Sequence, residues 1–126
     1  MRLVLDSTFL IDHLRGEREA VEMLARIFEN GHDPIVTEVI VCEVRAGLLP
    51  EAERHLVALL EPMEFVQPDP ATAMRAGRWR AELHARGRTL SLADSLIAAA
   101  ADSIGASVLT RNVRDFSLTP VPVETY

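Results

Sequence analysis

Arg2-Leu3-Val4-Leu5-Asp6-Ser7-Thr8 decides how the rest of the chain is read. An unbroken apolar run that stops at an acid has the pattern of a strand buried on both faces of a parallel sheet. Such a strand delivers Asp6 to its carboxyl end, the edge where open α/β sheets bind ligands. An ionised carboxylate at the rim of a core is costly unless a cation or a hydrogen-bond donor meets it. From this stretch alone two readings of Asp6 stand side by side. It caps the helix beginning near Thr8, as short acids commonly do, or it belongs to a ligand site.

Working outward, short strands alternate with helical patterns. Thr8 to Arg15 predicts a short helix ended by Gly16, and Glu17 to Asn30 a second with Val21, Leu24, Ile27 and Phe28 at helical spacing. Pro34 to Thr37 reads as a second strand, with Thr37 capping a helix that runs through about Leu49. Pro50 starts another helix that closes at Pro62, and Met63 to Val66 is a brief third strand. Asp69-Pro70, a cap followed by proline at the first helical position, opens a helix ended by Gly87. Ser91 opens an alanine-rich helix to Ile104, and Ser107 to Thr110 is the fourth strand. A loop or short helix follows through Phe116, and Val121 to Glu124 is an edge strand, because Pro120 and Pro122 forbid a central position. The alternation predicts an α/β fold with a central parallel sheet of four to five strands and helices on both faces.

The length of 126 residues suits one domain, 1–126, with a core of its own, and 48% hydrophobic and 25% charged residues are ordinary for a globular chain. The single cysteine, Cys42, excludes an internal disulfide framework, suits a reducing compartment and is expected to be buried. No apolar run is long enough to span a membrane, and Asp6 interrupts the N-terminal apolar run too early for a signal peptide, so a cytoplasmic protein is expected. The net charge of −6 argues against a general affinity for nucleic acid, and all thirteen basic residues are arginine. The four histidines share no metal-ligand spacing and are taken as surface residues; there is no P-loop, no G-x-G-x-x-G and no zinc spacing.

Three further carboxylates break their local patterns. Glu43 has Val39, Ile40, Ala46 and Gly47 as its helical neighbours three and four residues away, so it points inward. Asp94 follows Ser91 at capping-box spacing and also opens a helix beside the strand ends; both roles can hold together. Asp115 lies just after the fourth strand, at the same sheet edge as Asp6, and Asn112 with Asp115 makes a capping pair as an alternative. Ser7, Thr110 and Asn112 are short polar side chains at that edge, able to orient carboxylates or water and equally suited to turns. Ser7 is expected to serve the adjoining helix in place of Asp6, and the remaining acids, Asp12 and Asp102 among them, are expected on solvated faces.

Four carboxylates gathered at one edge raise each other's pKa unless something compensates them. With no lysine in the chain, a divalent cation is the simplest compensation, and oxygen-only ligands select Mg²⁺ or Mn²⁺. One or two such ions activate water and orient a phosphate, which is the chemistry of phosphodiester hydrolysis. Two other aspartate-centred α/β chemistries fit less well. A receiver domain needs a lysine beside its phosphorylated aspartate, and a haloacid-dehalogenase-like phosphatase needs a lysine and an Asp-x-Asp, where this chain has Thr8 two residues after Asp6.

Four stretches carry a family resemblance: Leu3 to Asp12 with Arg15-Gly16 behind it, Thr37 to Gly47 with Glu43, Leu92 to Ala99 with Asp94, and Leu109 to Phe116 with Asp115. In this order and spacing the chain resembles PIN-domain proteins, specifically the VapC-type toxin ribonucleases of toxin–antitoxin pairs, over nearly its full length. The resemblance implies a three-layer PIN-like fold in which Asp6, Glu43, Asp94 and Asp115 form an acidic metal site, Asp115 standing at the more variable position. It further implies Mg²⁺- or Mn²⁺-dependent endoribonuclease activity, homodimerisation and inhibition by a VapB-like antitoxin. A PIN-fold module that binds RNA or protein without cutting is the alternative. Arg111 and Arg114, nearest the acids, are candidates for RNA phosphate contact. Arg75 to Arg88, the densest basic stretch, is a phosphate-contacting rim or a solvated helix face, with Trp79 turned into the core or a dimer interface.

Overall fold

The computed structural model describes residues 1–126. Five strands, β1 (Arg2–Leu5), β2 (Asp33–Thr37), β3 (Glu64–Val66), β4 (Ser107–Leu109) and β5 (Val123–Glu124), form one sheet in the order β3-β2-β1-β4-β5. Every neighbouring pair is parallel; Val4, for example, faces Ile35 of β2 and Val108 of β4. Leu3, Val4 and Leu5 are at most 2% exposed. Their unbroken apolar run is therefore that of a central strand covered on both faces. β5 is a two-residue edge strand, shorter than its sequence pattern suggests.

Seven helices join the strands: α1 (Ser7–Leu14), α2 (Arg18–Glu29), α3 (Glu38–Ala46), α4 (Glu53–Leu60), α5 (Pro70–Ala85), α6 (Leu92–Ser103) and α7 (Val113–Phe116). From β1 the chain steps outward to β2 and β3, then crosses back to β4 on the other side of β1. With the right-handed crossovers of parallel sheets, α1–α4 cover one face and α5–α6 the other. The reversal of direction opens a crevice between the carboxyl ends of β1 and β4. Twenty-two buried residues make one apolar cluster, into which α6 presents Ile97, Ala98 and Ala101. Alanines let this helix lie close to the strands behind the crevice.

Several local expectations need correction. The helix after β2 ends at Ala46, short of Leu49, because Leu49 precedes Pro50 and takes an extended conformation (φ −67°, ψ 148°). Thr37 occupies the position before that helix without capping it; its hydroxyl is buried and has no hydrogen-bond partner. Cys42 is exposed. Ile40 and Val44 set the inward face of α3, and Cys42, two residues from each, falls on the opposite side. In α2 the buried stripe is Ala20, Leu24 and Ile27, leaving Val21 and Phe28 in solvent. His13 is half-buried and its Nδ1 is unpartnered, so it is not a surface residue; burial lowers its pKa. Trp79 packs partly buried against the core, as one of its two readings requires.

Candidate active site

Each acid singled out in the sequence reaches the crevice from a different element. Asp6 follows β1 directly and is 2% exposed. It holds the position before α1, yet its side chain makes no capping bond to that helix. Instead Thr8 and Thr110 donate to its Oδ2 at 2.9 and 2.7 Å, and Ser7 approaches Oδ1 at 3.5 Å. Ser7 does not cap the helix either: its hydroxyl donates to Glu43 Oε1 at 3.0 Å and so ties α3 to the first residue of α1. Glu43 is half-buried, in keeping with its inward-facing helical position.

The second half of the crevice is organised by Asn112. Its Nδ2 donates to Asp94 Oδ2 and to Asp115 Oδ2, both at 3.1 Å, while its backbone N–H donates to Thr110 Oγ1 at 2.8 Å. The side chain is spent on two carboxylates and does not cap α7. Ser91 does cap α6, accepting from the Asp94 N–H at 3.0 Å, so the capping role and the site role of that segment coexist. Glu43, Ser7, Asp6, Thr110, Asn112, Asp94 and Asp115 thus form one hydrogen-bonded chain across the ends of β1 and β4.

Every donor in this chain is neutral. The six ion pairs of the protein involve none of Asp6, Glu43, Asp94 or Asp115. The strain falls on Asp94, whose carboxyl is pushed up to about 6, chiefly by burial and then by the charge of Asp6, with Asp115 and Glu43 adding to it and Ser91 opposing. No three acidic, histidine or cysteine side chains stand close enough to enclose an ion by themselves. This agrees with the habit of Mg²⁺, which keeps several waters and takes one or two carboxylates plus substrate phosphate. An uncompensated, oxygen-only donor set at a crevice fits a hard divalent cation.

The raised pKa makes a testable statement about the metal-free protein. Asp94 binds its proton more tightly when folded than at its ordinary value of 3.8. Its stabilising contribution is therefore complete below about pH 4 and is lost as pH rises through about 6. Solvent screening of a half-exposed group limits the loss to about 1 kcal/mol. Asp94→Asn removes the penalty and can still accept from Asn112. In chelator, the variant is expected to melt with wild type at pH 4 and about 4 °C above it at pH 7. A difference that shrinks with rising pH would contradict this assignment of charge.

Arg111 and Arg114 part company. The Arg111 guanidinium sits 3.7 Å from Asp12 and from Glu19 and lies over the Tyr126 ring, 4.6 Å from its centroid. Tyr126 donates to Asp12 at 2.6 Å, so Asp12, expected on a solvated face, anchors the C-terminus. No periodicity marks this contact; it joins residues 114 apart in sequence. Arg114 is exposed and has no ion-pair partner. Within the basic stretch, Arg75 is neutralised by Asp102 at 2.7 Å, and Asp102 is thereby paired as well as exposed.

Comparison with known proteins places the sequence and the fold. The sequence model described as PIN domain matches residues 3–121. Ribonuclease VapC19 of Mycobacterium tuberculosis (strain ATCC 25618 / H37Rv) is 32% identical over 120 residues, 95% of each chain. Among solved structures, VapBC2 from Rickettsia felis, bound to a DNA fragment from their promoter, superposes with a TM-score of 0.88 at 19% identity, covering 100% of this chain and 99% of that one. A toxin–antitoxin complex from Klebsiella pneumoniae gives 0.79 at 25% identity, over 98% and 96% of the two chains.

Proposed function

This chain belongs to the PIN-domain family, in its VapC branch, and on that premise we propose that it is a toxin endoribonuclease that hydrolyses RNA phosphodiester bonds with Mg²⁺ or Mn²⁺. The observation that carries the proposal is the set of four carboxylates joined by neutral donors at the β1–β4 crevice with no cation of the chain paired to any of them. Asp6, Glu43 and Asp94 hold the metal, directly or through water, and Asp115 supports the metal or the attacking water. The bound ion would lower the pKa of water, neutralise the phosphate and stabilise the leaving oxygen.

The chain's own residues supply orientation. Thr8 and Thr110 hold the Asp6 carboxylate against rotation, and Ser7 couples it to Glu43. Asn112 sets the spacing of Asp94 and Asp115. Such supporting hydrogen bonds commonly tune metal affinity and activity as much as tenfold to a hundredfold. Arg114, free of carboxylate partners, takes a phosphate contact in preference to Arg111, which Asp12 and Glu19 already engage.

Two relatives inform the partners. The Rickettsia and Klebsiella structures are described as a VapBC pair and a toxin–antitoxin complex. We extend that arrangement to this chain: a VapB-like antitoxin restrains it, it acts as a homodimer, and it works in the cytoplasm, where RNA is met. No helix is long and apolar enough to cross a membrane.

The test is cleavage of total RNA by the purified protein with Mg²⁺ or Mn²⁺, with the cut ends mapped. Activity is expected with metal and none in chelator. A folded protein that binds RNA but cuts none with either ion would leave the PIN-fold binding module as the better reading.

A further inference from the structure

Eight of the thirteen arginines are engaged by no carboxylate, and three of these, Arg80, Arg88 and Arg114, line two cavities on the Asp115 side of the site. Arg2, Arg18, Arg45 and Arg75 are held by acids at 2.6–2.9 Å, and Arg111 is shared between two. Arg80, Arg88 and Arg114 have no such partner. Arg80, His84, Arg88 and Thr89 line an open cavity of about 370 Å³. Arg88 and Thr89 also line a second, of about 290 Å³, together with Arg114 and Asp115. The two cavities share Arg88 and Thr89, so basic side chains line adjacent hollows from α5 to Asp115, here called the groove.

The backbone builds this groove deliberately. Gly87 takes a left-handed conformation (φ +72°) that ends α5, and the Arg88 N–H closes the turn on the Leu83 carbonyl at 2.8 Å. The loop then brings the Leu90 carbonyl to Arg80 Nε at 3.1 Å, which orients the guanidinium while leaving its terminal nitrogens free. A chain of net charge −6 repels a polyanion overall, so it needs a local cationic path to bring one to an acidic site. Guanidinium forks match phosphate geometry. No phenylalanine, tyrosine or tryptophan lines either cavity, and Trp79 is packed against the core, so the lining of three arginines favours the phosphate backbone of a strand, with His84 the one ring beside it.

We propose that this groove is the track along which single-stranded RNA reaches the carboxylates, with Arg88 and Arg114 gripping phosphates on the side of Asp115. The proposal rests on the ribonuclease reading above and adds to it the strand's path. It is tested by the anisotropy of a labelled single-stranded RNA in chelator over a range of salt, which reports binding without hydrolysis. Arg88→Ala/Arg114→Ala is expected to bind about tenfold more weakly at low salt, and its salt slope is expected to flatten by about 1.4, two phosphate contacts at about 0.7 each. Both side chains are exposed and unpaired, so the fold is undisturbed, and Arg88→Lys/Arg114→Lys is expected to recover most of the slope. Arg54→Ala, on the exposed side of α4, removes one charge away from the groove and is expected to bind as wild type.

An unchanged slope in the double alanine variant overturns the proposal, as does an equal loss in Arg54→Ala, which would reduce the effect to net charge. Cleavage measured in parallel separates the two readings. If the wild type cuts RNA and the slope ignores Arg88 and Arg114, the track is wrong and the nuclease stands. If the slope follows them and nothing is cut, the track stands and the hydrolytic reading falls.

Discussion

Asp6→Asn is expected to lower the rate of RNA cleavage by at least about a thousandfold, roughly 4 kcal/mol of transition-state stabilisation, while leaving the protein folded. The geometry explains why the two effects separate. Asp6 Oδ2 receives two hydroxyl protons, from Thr8 and Thr110, whereas Oδ1 has only the long contact from Ser7. An asparagine with its oxygen in the Oδ2 position keeps both good bonds. Its amide then faces Ser7, whose hydroxyl is already committed to Glu43. The substitution also removes one of four uncompensated negative charges, so the metal-free protein should melt no lower than wild type. What it loses is the negative charge at the centre of the network, the one proposed above to hold the metal. Thermal melts with and without Mn²⁺ should show a metal-induced rise in wild type that the variant lacks. A variant that cuts RNA within tenfold of wild type would remove Asp6 from the metal site.

Phe9→Ala carries the largest expected cost in stability, about 3–5 kcal/mol. Phe9 is 0% exposed at the root of α1. It meets the edge of Tyr126 with ring centroids 4.9 Å apart and an interplanar angle of 82°. Tyr126 in turn holds Asp12 through its hydroxyl and carries Arg111 over its face. The truncation opens a cavity beneath the helix that follows Asp6 and frees the C-terminus that closes over it. Domains of this size have about 5–15 kcal/mol in total, so the variant should be marginal at ordinary temperature. Urea unfolding followed by circular dichroism measures the loss. A change under about 1 kcal/mol would mean that the C-terminus is not part of the folded core.

The two variants probe features of different legibility. Asp6, Glu43, Asp94 and Asp115 were readable because each breaks a local pattern: an acid ending an apolar strand, an acid on an inward helix face, acids in turns at a common sheet edge. Apolar periodicity with turn and cap residues located all five strands and six of the seven α-helices to within a few residues and left the four-residue α7 as a loop or short helix, because central parallel strands and amphipathic helices leave strong local signals and a single turn does not. Burial of single residues was less legible. Cys42 and Phe28 look apolar, yet the helix phase that puts Ile40 and Ile27 inward leaves them in solvent. Thr37 has a capping residue's identity at a capping position, and its hydroxyl is turned into the interior without a partner.

Partner choice was invisible in the same way. Asn112, Ser7 and Thr110 each suit a turn, and nothing local says that they bridge carboxylates 18, 36 and 104 residues away. Arg111 and Arg114 lie three apart on one short stretch, and only the packing of Asp12, Glu19 and Tyr126 around the first engages it and leaves the second free.

By itself the sequence determined the parallel α/β layout, the four acids and the absence of lysine, because these follow from residue type and short-range periodicity. The tertiary structure alone decided what the carboxylate at the end of β1 faces: hydroxyls of Thr8 in α1 and of Thr110 just past β4, which link it through further neutral donors to the carboxylates of three other elements, with no cation of the chain paired to it. That choice depends on which strands become neighbours at the β1–β4 reversal, a long-range property that no local stretch of residues encodes.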